Sequence, residues 1–94
     1  MYYKPNAKIF NKIINWKGGF CDLMEYIKSY WWEPNWGWRE TSRRYYLSTG
    51  GHSDNEDLLN ALSENKQRLF MFHLISFRRG GHYVFEKPKQ GDKT

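Results

Sequence analysis

The amino-acid sequence predicts an α+β fold: an N-terminal helical hairpin, then a β-α-β-β run forming a small, mainly antiparallel sheet with helices on one face. Three observations predict it. Apolar residues recur at a three-to-four spacing in two stretches before residue 32, the period of a helix buried on one side. Beyond residue 39, short runs alternate apolar and polar residues or are apolar throughout, as strands do. Double glycines at 18–19, 50–51 and 80–81 separate these stretches, and such pairs mark breaks between elements.

The first helix is expected over Pro5 to Trp16. Ile9, Phe10, Ile13 and Ile14 form its apolar stripe, and Lys8, Asn11, Lys12 and Asn15 its polar face. Pro5 suits a first turn, where a missing N–H costs nothing. Lys17-Gly18-Gly19 supplies a stop. A second helix over Phe20 to Tyr30 carries Phe20, Leu23, Met24 and Ile27 on one stripe, and Pro34 forces its end. Trp36-Gly37-Trp38 leads into a strand read over Arg39 to Thr49.

Ser53-Asp54-Asn55-Glu56 reads as a capping box, Ser53 as N-cap and Glu56 three residues on, opening a helix to about Asn65. Arg68 to Arg79 reads as one long central strand, since Leu69 to Phe77 is apolar on both faces. Arg79-Gly80-Gly81 is then a tight turn, and His82 to Glu86 the returning hairpin strand. Residues 1–87 are read as a single domain and 88–94 as a flexible polar tail.

A 94-residue chain forms one domain and buries only ~60–65% of the surface its unfolded form exposes, so its core needs large side chains. The 19% aromatic content meets that need and accommodates a mean hydropathy of −0.90 without disorder. The lone Cys21 excludes an intrachain disulfide or a cysteine-cluster zinc site and fits a reducing cytoplasm. No apolar stretch reaches the ~18 residues of a membrane span, and the N-terminal residues lack a signal-peptide pattern. A cytoplasmic protein is expected, with no cofactor, no metal and no membrane association. The net charge of +5 favours phosphates, nucleic acid or an acidic protein as partner.

Four groups of residues could carry chemistry. Ser48-Thr49-Gly50-Gly51-His52-Ser53 links a strand end to a helix N-terminus, where backbone N–H groups and the helix dipole attract phosphate. The same glycines could serve the turn alone, and Asp54, Glu56 and Asp57 oppose an anion there. Arg43-Arg44 and Arg78-Arg79 would bind phosphate if their strands neighbour each other; otherwise they are solvated edge charges. Trp31, Trp32, Trp36 and Trp38 could stack a base, Trp36 or Trp38 foremost, or close the helices over the sheet. His82 and His52 are the weak catalytic candidates, able to work as acid and base on a phosphodiester, with His73 read as a mid-strand side chain.

The stretch Leu47-Ser48-Thr49-Gly50-Gly51-His52-Ser53-Asp54-Asn55-Glu56, with Arg79-Gly80-Gly81-His82-Tyr83-Val84-Phe85-Glu86, resembles a family of small uncharacterised bacteriophage proteins. The resemblance covers the C-terminal half, and the tryptophan-rich part loosely. That family has tryptophan in the place of His52 and glycine in the place of Asp54. A general base is not exchangeable with indole, so the departure counts against a catalytic His52. The resemblance implies a phage or prophage origin and, by analogy with small phage proteins as a class, antagonism of host defence.

A binding module rather than an enzyme is expected, recognising a phosphate-bearing ligand, nucleotide or nucleic acid. Gly50, Gly51, His52 and Ser53 would form its cradle, with Arg43, Arg44, Arg78, Arg79 and His82 as cationic or polar partners and Trp36 or Trp38 stacking. The alternatives are an inhibitor that docks its aromatic and arginine surface on a host protein, and a small histidine-dependent phosphodiesterase or nuclease. A homodimer is compatible with each.

Overall fold

A computed structural model describes residues 2–88. Helix α1 spans Ala7–Ile14. It starts two residues past Pro5, because the side chain of Asn6 accepts a hydrogen bond from the Ile9 N–H and caps the helix. Helix α2 spans Phe20–Lys28 and buries Phe20, Leu23, Met24 and Ile27 completely. The periodicity that predicts both helices is that of the faces they bury.

After α2 the chain crosses Trp31 and Trp32, and Glu33 takes a left-handed conformation (φ 55°) ahead of Pro34. Proline excludes the α region from the residue before it. It then opens the single turn α3, Pro34–Gly37, which the lead-in reading of Trp36-Gly37-Trp38 does not contain. The strand expected over Arg39 to Thr49 is two strands, β1 (Trp38–Glu40) and β2 (Arg44–Ser48). The turn between them lacks glycine and proline. The Thr41 hydroxyl builds it, accepting from the N–H groups of Arg43 and Arg44, while the Thr41 N–H donates to the Arg44 carbonyl.

Helix α4 spans Ser53–Ser63. Its N-cap is His52, not Ser53: His52 Nδ1 accepts from the Asp54 N–H at 3.3 Å, and Ser53 is the first helical residue. Glu56 turns back towards Thr49 instead of closing a capping box, accepting from the Thr49 hydroxyl at 3.4 Å. The long central strand expected over Arg68 to Arg79 is corrected as well. Arg68 is left-handed (φ 60°), Leu69–His73 forms the short helix α5, and only Leu74–Arg78 is strand, β3. An apolar run of this length has no period that separates helix from strand. Here Asn65 decides it. Its side chain accepts from the Gln67 N–H and donates to the Ile13 carbonyl, turning the chain before α5.

Strand β4 spans His82–Glu86. The sheet is antiparallel throughout in the order β1-β2-β4-β3, so β3 is an edge strand rather than the centre. Trp38, Tyr45, Leu47 and Phe85 point from the sheet into one core with α2 and with Leu58, Leu59 and Leu62 of α4. Phe20 meets the Tyr45 ring edge-on at 5.9 Å and the Phe85 ring at 6.0 Å. Helix α1 lies against α4, where Lys66 N–H donates to the Ile14 carbonyl. Within this core the Nε1 groups of Trp31 and Trp38 find no acceptor, which offsets part of the gain from burying their rings.

The architecture is therefore α+β, with the helices on one sheet face. No described helix is long and apolar enough to cross a membrane. The tail expected over 88–94 lies, apart from Pro88, outside the described residues.

Candidate functional site

Alternation along the strands leaves the second sheet face without helices. Register places Arg39 beside Tyr46 and Tyr46 beside Val84, with Val84 next to Ser76. A second row runs Ser48, His82, Arg78, and a third pairs Arg44 with Glu86. Arg44, Tyr46, Ser48, Arg78, His82 and Val84 line a groove of about 570 Å³ on this face.

Arg44 and Arg78 line the groove, and one strand carboxylate, that of Glu86 opposite Arg44, shares their face. Among the described residues only Glu40 and Glu86 are acidic residues on strands; the others lie on the helices or the loops joining them. Among the described residues the sole ion pair within 4 Å joins Lys87 to Glu40 at 2.7 Å, and the arginines of the face take no part in it. The Arg39 guanidinium lies over the Tyr46 ring, 4.2 Å from its centroid. Such stacking leaves the guanidinium edge free to meet an incoming anion.

The two arginine pairs do not converge at one edge. Arg44 and Arg78 flank the same groove from opposite ends, about 14 Å apart along the strand direction for a rise of ~3.4 Å per residue. Arg43 sits in the β1–β2 turn, its carbonyl accepting from Lys87 N–H, and Arg79 sits in the β3–β4 turn. Both are exposed, and neither lines the groove.

The two double-glycine bends do meet. The Thr49 N–H donates to the Gly81 carbonyl at 3.0 Å, and Ser48 Oγ is hydrogen-bonded to His82 Nδ1 at 2.8 Å. The space between the bends is occupied by protein. The Thr49 hydroxyl packs so closely on Gly81 that a Cβ there would collide with it, and the exposed Trp36 ring covers Gly50. The Glu56 carboxylate completes the filling on the helix side. Gly51 alone is open, with nothing within 4 Å of an added Cβ.

The histidines separate into different roles. The His52 ring stacks on Trp32 at 4.3 Å, meets Tyr2 edge-on and spends Nδ1 on the helix cap, so its place is structural. His73 ends α5 rather than lying mid-strand. It stacks on Phe20 at 4.0 Å and donates from Nδ1 to the Glu86 carbonyl, and burial lowers its pKa. His82 is exposed on the groove.

Of the two tryptophans expected to stack a ligand, Trp38 is corrected. It is 7% exposed and wedged between Trp31 and Tyr45, because strand alternation turns it into the core. Trp36 is 66% exposed at the Gly50 bend. Among the described residues no three His, Cys, Asp or Glu side chains are grouped to hold a metal ion.

Tyr46 and its stack with Arg39 are absent from the site expected from sequence, and Ser48, expected in the glycine-rich link, joins the groove from its strand. The alternation of Tyr46 and Ser48 with the buried Tyr45 and Leu47 is their signal, and it becomes readable once Tyr45 and Leu47 are known to be core. Compared with known proteins, the chain matches no family model, no curated sequence and no solved structure.

Proposed function

We propose that the chain binds a phosphate-bearing polymer, single-stranded nucleic acid, across the uncovered sheet face. The observation that carries this reading is a helix-free groove flanked by Arg44 and Arg78 and extended by Arg39 on Tyr46, none of the three in an ion pair within 4 Å among the described residues, although Glu86 stands opposite Arg44 in the sheet. Arginines at the two ends of a groove suit successive phosphates better than one compact phosphate group. Tyr46 offers a ring at its centre for base stacking, an interaction worth ~1–3 kcal/mol per base where it is measured. A mononucleotide is the narrower form of the same reading. The Gly50-Gly51 bend does not join it, since Trp36, Thr49 and Glu56 fill that space.

Fluorescence anisotropy with a labelled oligonucleotide tests the proposal. Affinity should fall steeply with salt, and Arg44→Ala with Arg78→Ala should flatten the log–log slope by about 1.4, or ~0.7 per phosphate contact on a single strand. Absence of binding at about 50 mM salt, or an unchanged slope in the double variant, would sink the idea. A mononucleotide that competes at equal phosphate concentration would narrow the ligand to a nucleotide.

The hydrogen bond between Ser48 and His82 specifically favours a second reading, cleavage of a phosphodiester on the same face. It requires that His82→Ala abolish turnover of an oligonucleotide while the melting temperature stays within about 2 °C of the parent, the shift for a few tenths of a kcal/mol. The resemblance to bacteriophage proteins supplies a setting for either reading: removal of a host nucleic-acid or nucleotide signal in the cytoplasm.

A further inference from the structure

The edge strand β3 raises a question that the groove does not answer. Among the described residues seven large hydrophobic side chains are exposed, and four of them fall within residues 71–77: Met71 (75%), Phe72 (76%), Ile75 (44%) and Phe77 (57%). Together they expose on the order of 500 Å² per chain, near the size of the largest apolar patch on an ordinary monomer. The opposite edge is built differently. Strand β1 has three residues, two of them the charged Arg39 and Glu40, and Glu40 is tied to Lys87. Short length and charge discourage edge-to-edge pairing at β1. At β3 the only charge on the strand is Arg78, at its end.

We infer that β3 pairs with β3 of a second copy of this chain, antiparallel across a two-fold axis, joining two four-stranded sheets into one of eight strands. Area supports this occupant. The four side chains of each copy expose ~1,000 Å² over the pair, an upper limit because Ile75 also lines the groove, and with the paired backbone this is near the lower bound for a specific interface. Charge permits it too. Antiparallel pairing centred on Phe77 sets Arg78 of one copy opposite the partner's Ser76 and Arg79 opposite the partner's Ile75, so no arginine stands directly opposite an arginine. Backbone groups left bare on the outer edge of β3 would gain partners. The bulge between Leu74 and Ser76 restricts the regular pairing to the C-terminal part of β3. A two-fold axis perpendicular to the sheet keeps both uncovered faces on the same side, so the dimer would lengthen the arginine-lined surface. The pairing itself stands on the edge strand and needs no ligand.

Light scattering coupled to size exclusion, on the full chain without nucleic acid, tests the inference. The parent should run at about 23 kDa, twice the 11.4 kDa chain mass, and dissociate on dilution. Phe72→Lys and Phe77→Lys should each run as monomers with unchanged circular dichroism. Phe72 is the cleaner of the two, because Phe77 also packs on Tyr83 at 4.8 Å. Hydrogen exchange of the parent gives a readout free of substitution: amides of Leu74–Arg78 should exchange faster on dilution while those of Arg44–Ser48 do not change. A parent monomeric at about 100 μM, two orders of magnitude above the ~1 μM at the weak end for interfaces of ~1,600 Å², would overturn the inference. So would Lys variants that stay dimeric, or β3 exchange independent of concentration. Oligonucleotide binding by a monomeric parent would retain the groove and remove only the dimer.

Discussion

Asn55 holds together three segments that sequence treats as separate, and its removal tests that arrangement. It lies fully buried in the first turn of α4. Its Oδ1 accepts from the Trp32 N–H at 2.7 Å, and its Nδ2 donates to the carbonyls of Trp32 at 3.1 Å and Thr49 at 3.3 Å. Asn55→Ala deletes all three hydrogen bonds and leaves backbone groups without partners where water is largely excluded. At a net ~1 kcal/mol per bond, and more where a buried group is orphaned, the loss is about 2–4 kcal/mol. For a chain of this size that is a fall of roughly 10–25 °C in melting temperature. The assay is thermal and urea unfolding beside Asn60→Ala, an exposed position on the same helix with no side-chain partner, which should stay within about 0.5 kcal/mol of the parent. Asn55→Leu keeps the branched heavy-atom outline but not the hydrogen bonds and should cost at least as much as alanine. If either Asn55 variant lost less than about 1 kcal/mol, the side chain would not be what fixes the tryptophan loop to the Thr49 bend.

Glycine substitutions should separate the two bends. Gly81→Ala adds a Cβ against the Thr49 hydroxyl at φ 78°, so it combines overpacking with left-handed strain and should cost about 2–4 kcal/mol; Gly51→Ala, in open space at φ 70°, should cost only about 1–2 kcal/mol in chemical denaturation. His73 is held below its ordinary pKa of 6.5 by burial, so the unfolded chain takes up its proton first as pH falls. Its contribution is therefore complete above that value and is lost as pH drops towards the lower folded pKa. Melting temperature against pH should decline in this window for the parent and less for His73→Phe, which keeps the stack on Phe20. Trp36→Ala should change unfolding free energy by less than about 1 kcal/mol, because the ring is largely exposed and only its edge covers Gly50; any larger loss would place it in the core.

The helices were legible wherever one face alone is buried. Ile13 in α1 and Phe20, Leu23, Met24 and Ile27 in α2 sit on the stripes that their spacing marks. The tight turn at Arg79-Gly80-Gly81 was legible for a different reason, since Gly80 and Gly81 both adopt positive φ, which few other residues tolerate. Other breaks carried no such mark. The β1–β2 turn depends on a threonine hydroxyl, and the helix at Leu69–His73 depends on Asn65, a partner of the distant Ile13. Its apolar sequence suits a strand equally well, so tertiary contacts chose.

The groove shows the same division. The arginines and His82 are visible as residue types, yet only strand order sets Arg44 and Arg78 on one face, and only alternation against a known core turns Trp38 inward and Tyr46 outward. Sequence by itself determined the α+β composition, the helix stripes, the glycine turns and the positive charge, all of which follow from interactions within a few residues. The tertiary structure decided that β3 lies at an edge, that His52 rather than Ser53 caps α4, and that protein atoms fill the space between the bends. The long-range part of each, the β2–β4 pairing, the stack of His52 on Trp32 and the packing of Thr49 on Gly81, joins residues far apart in the chain, and no local pattern encodes it.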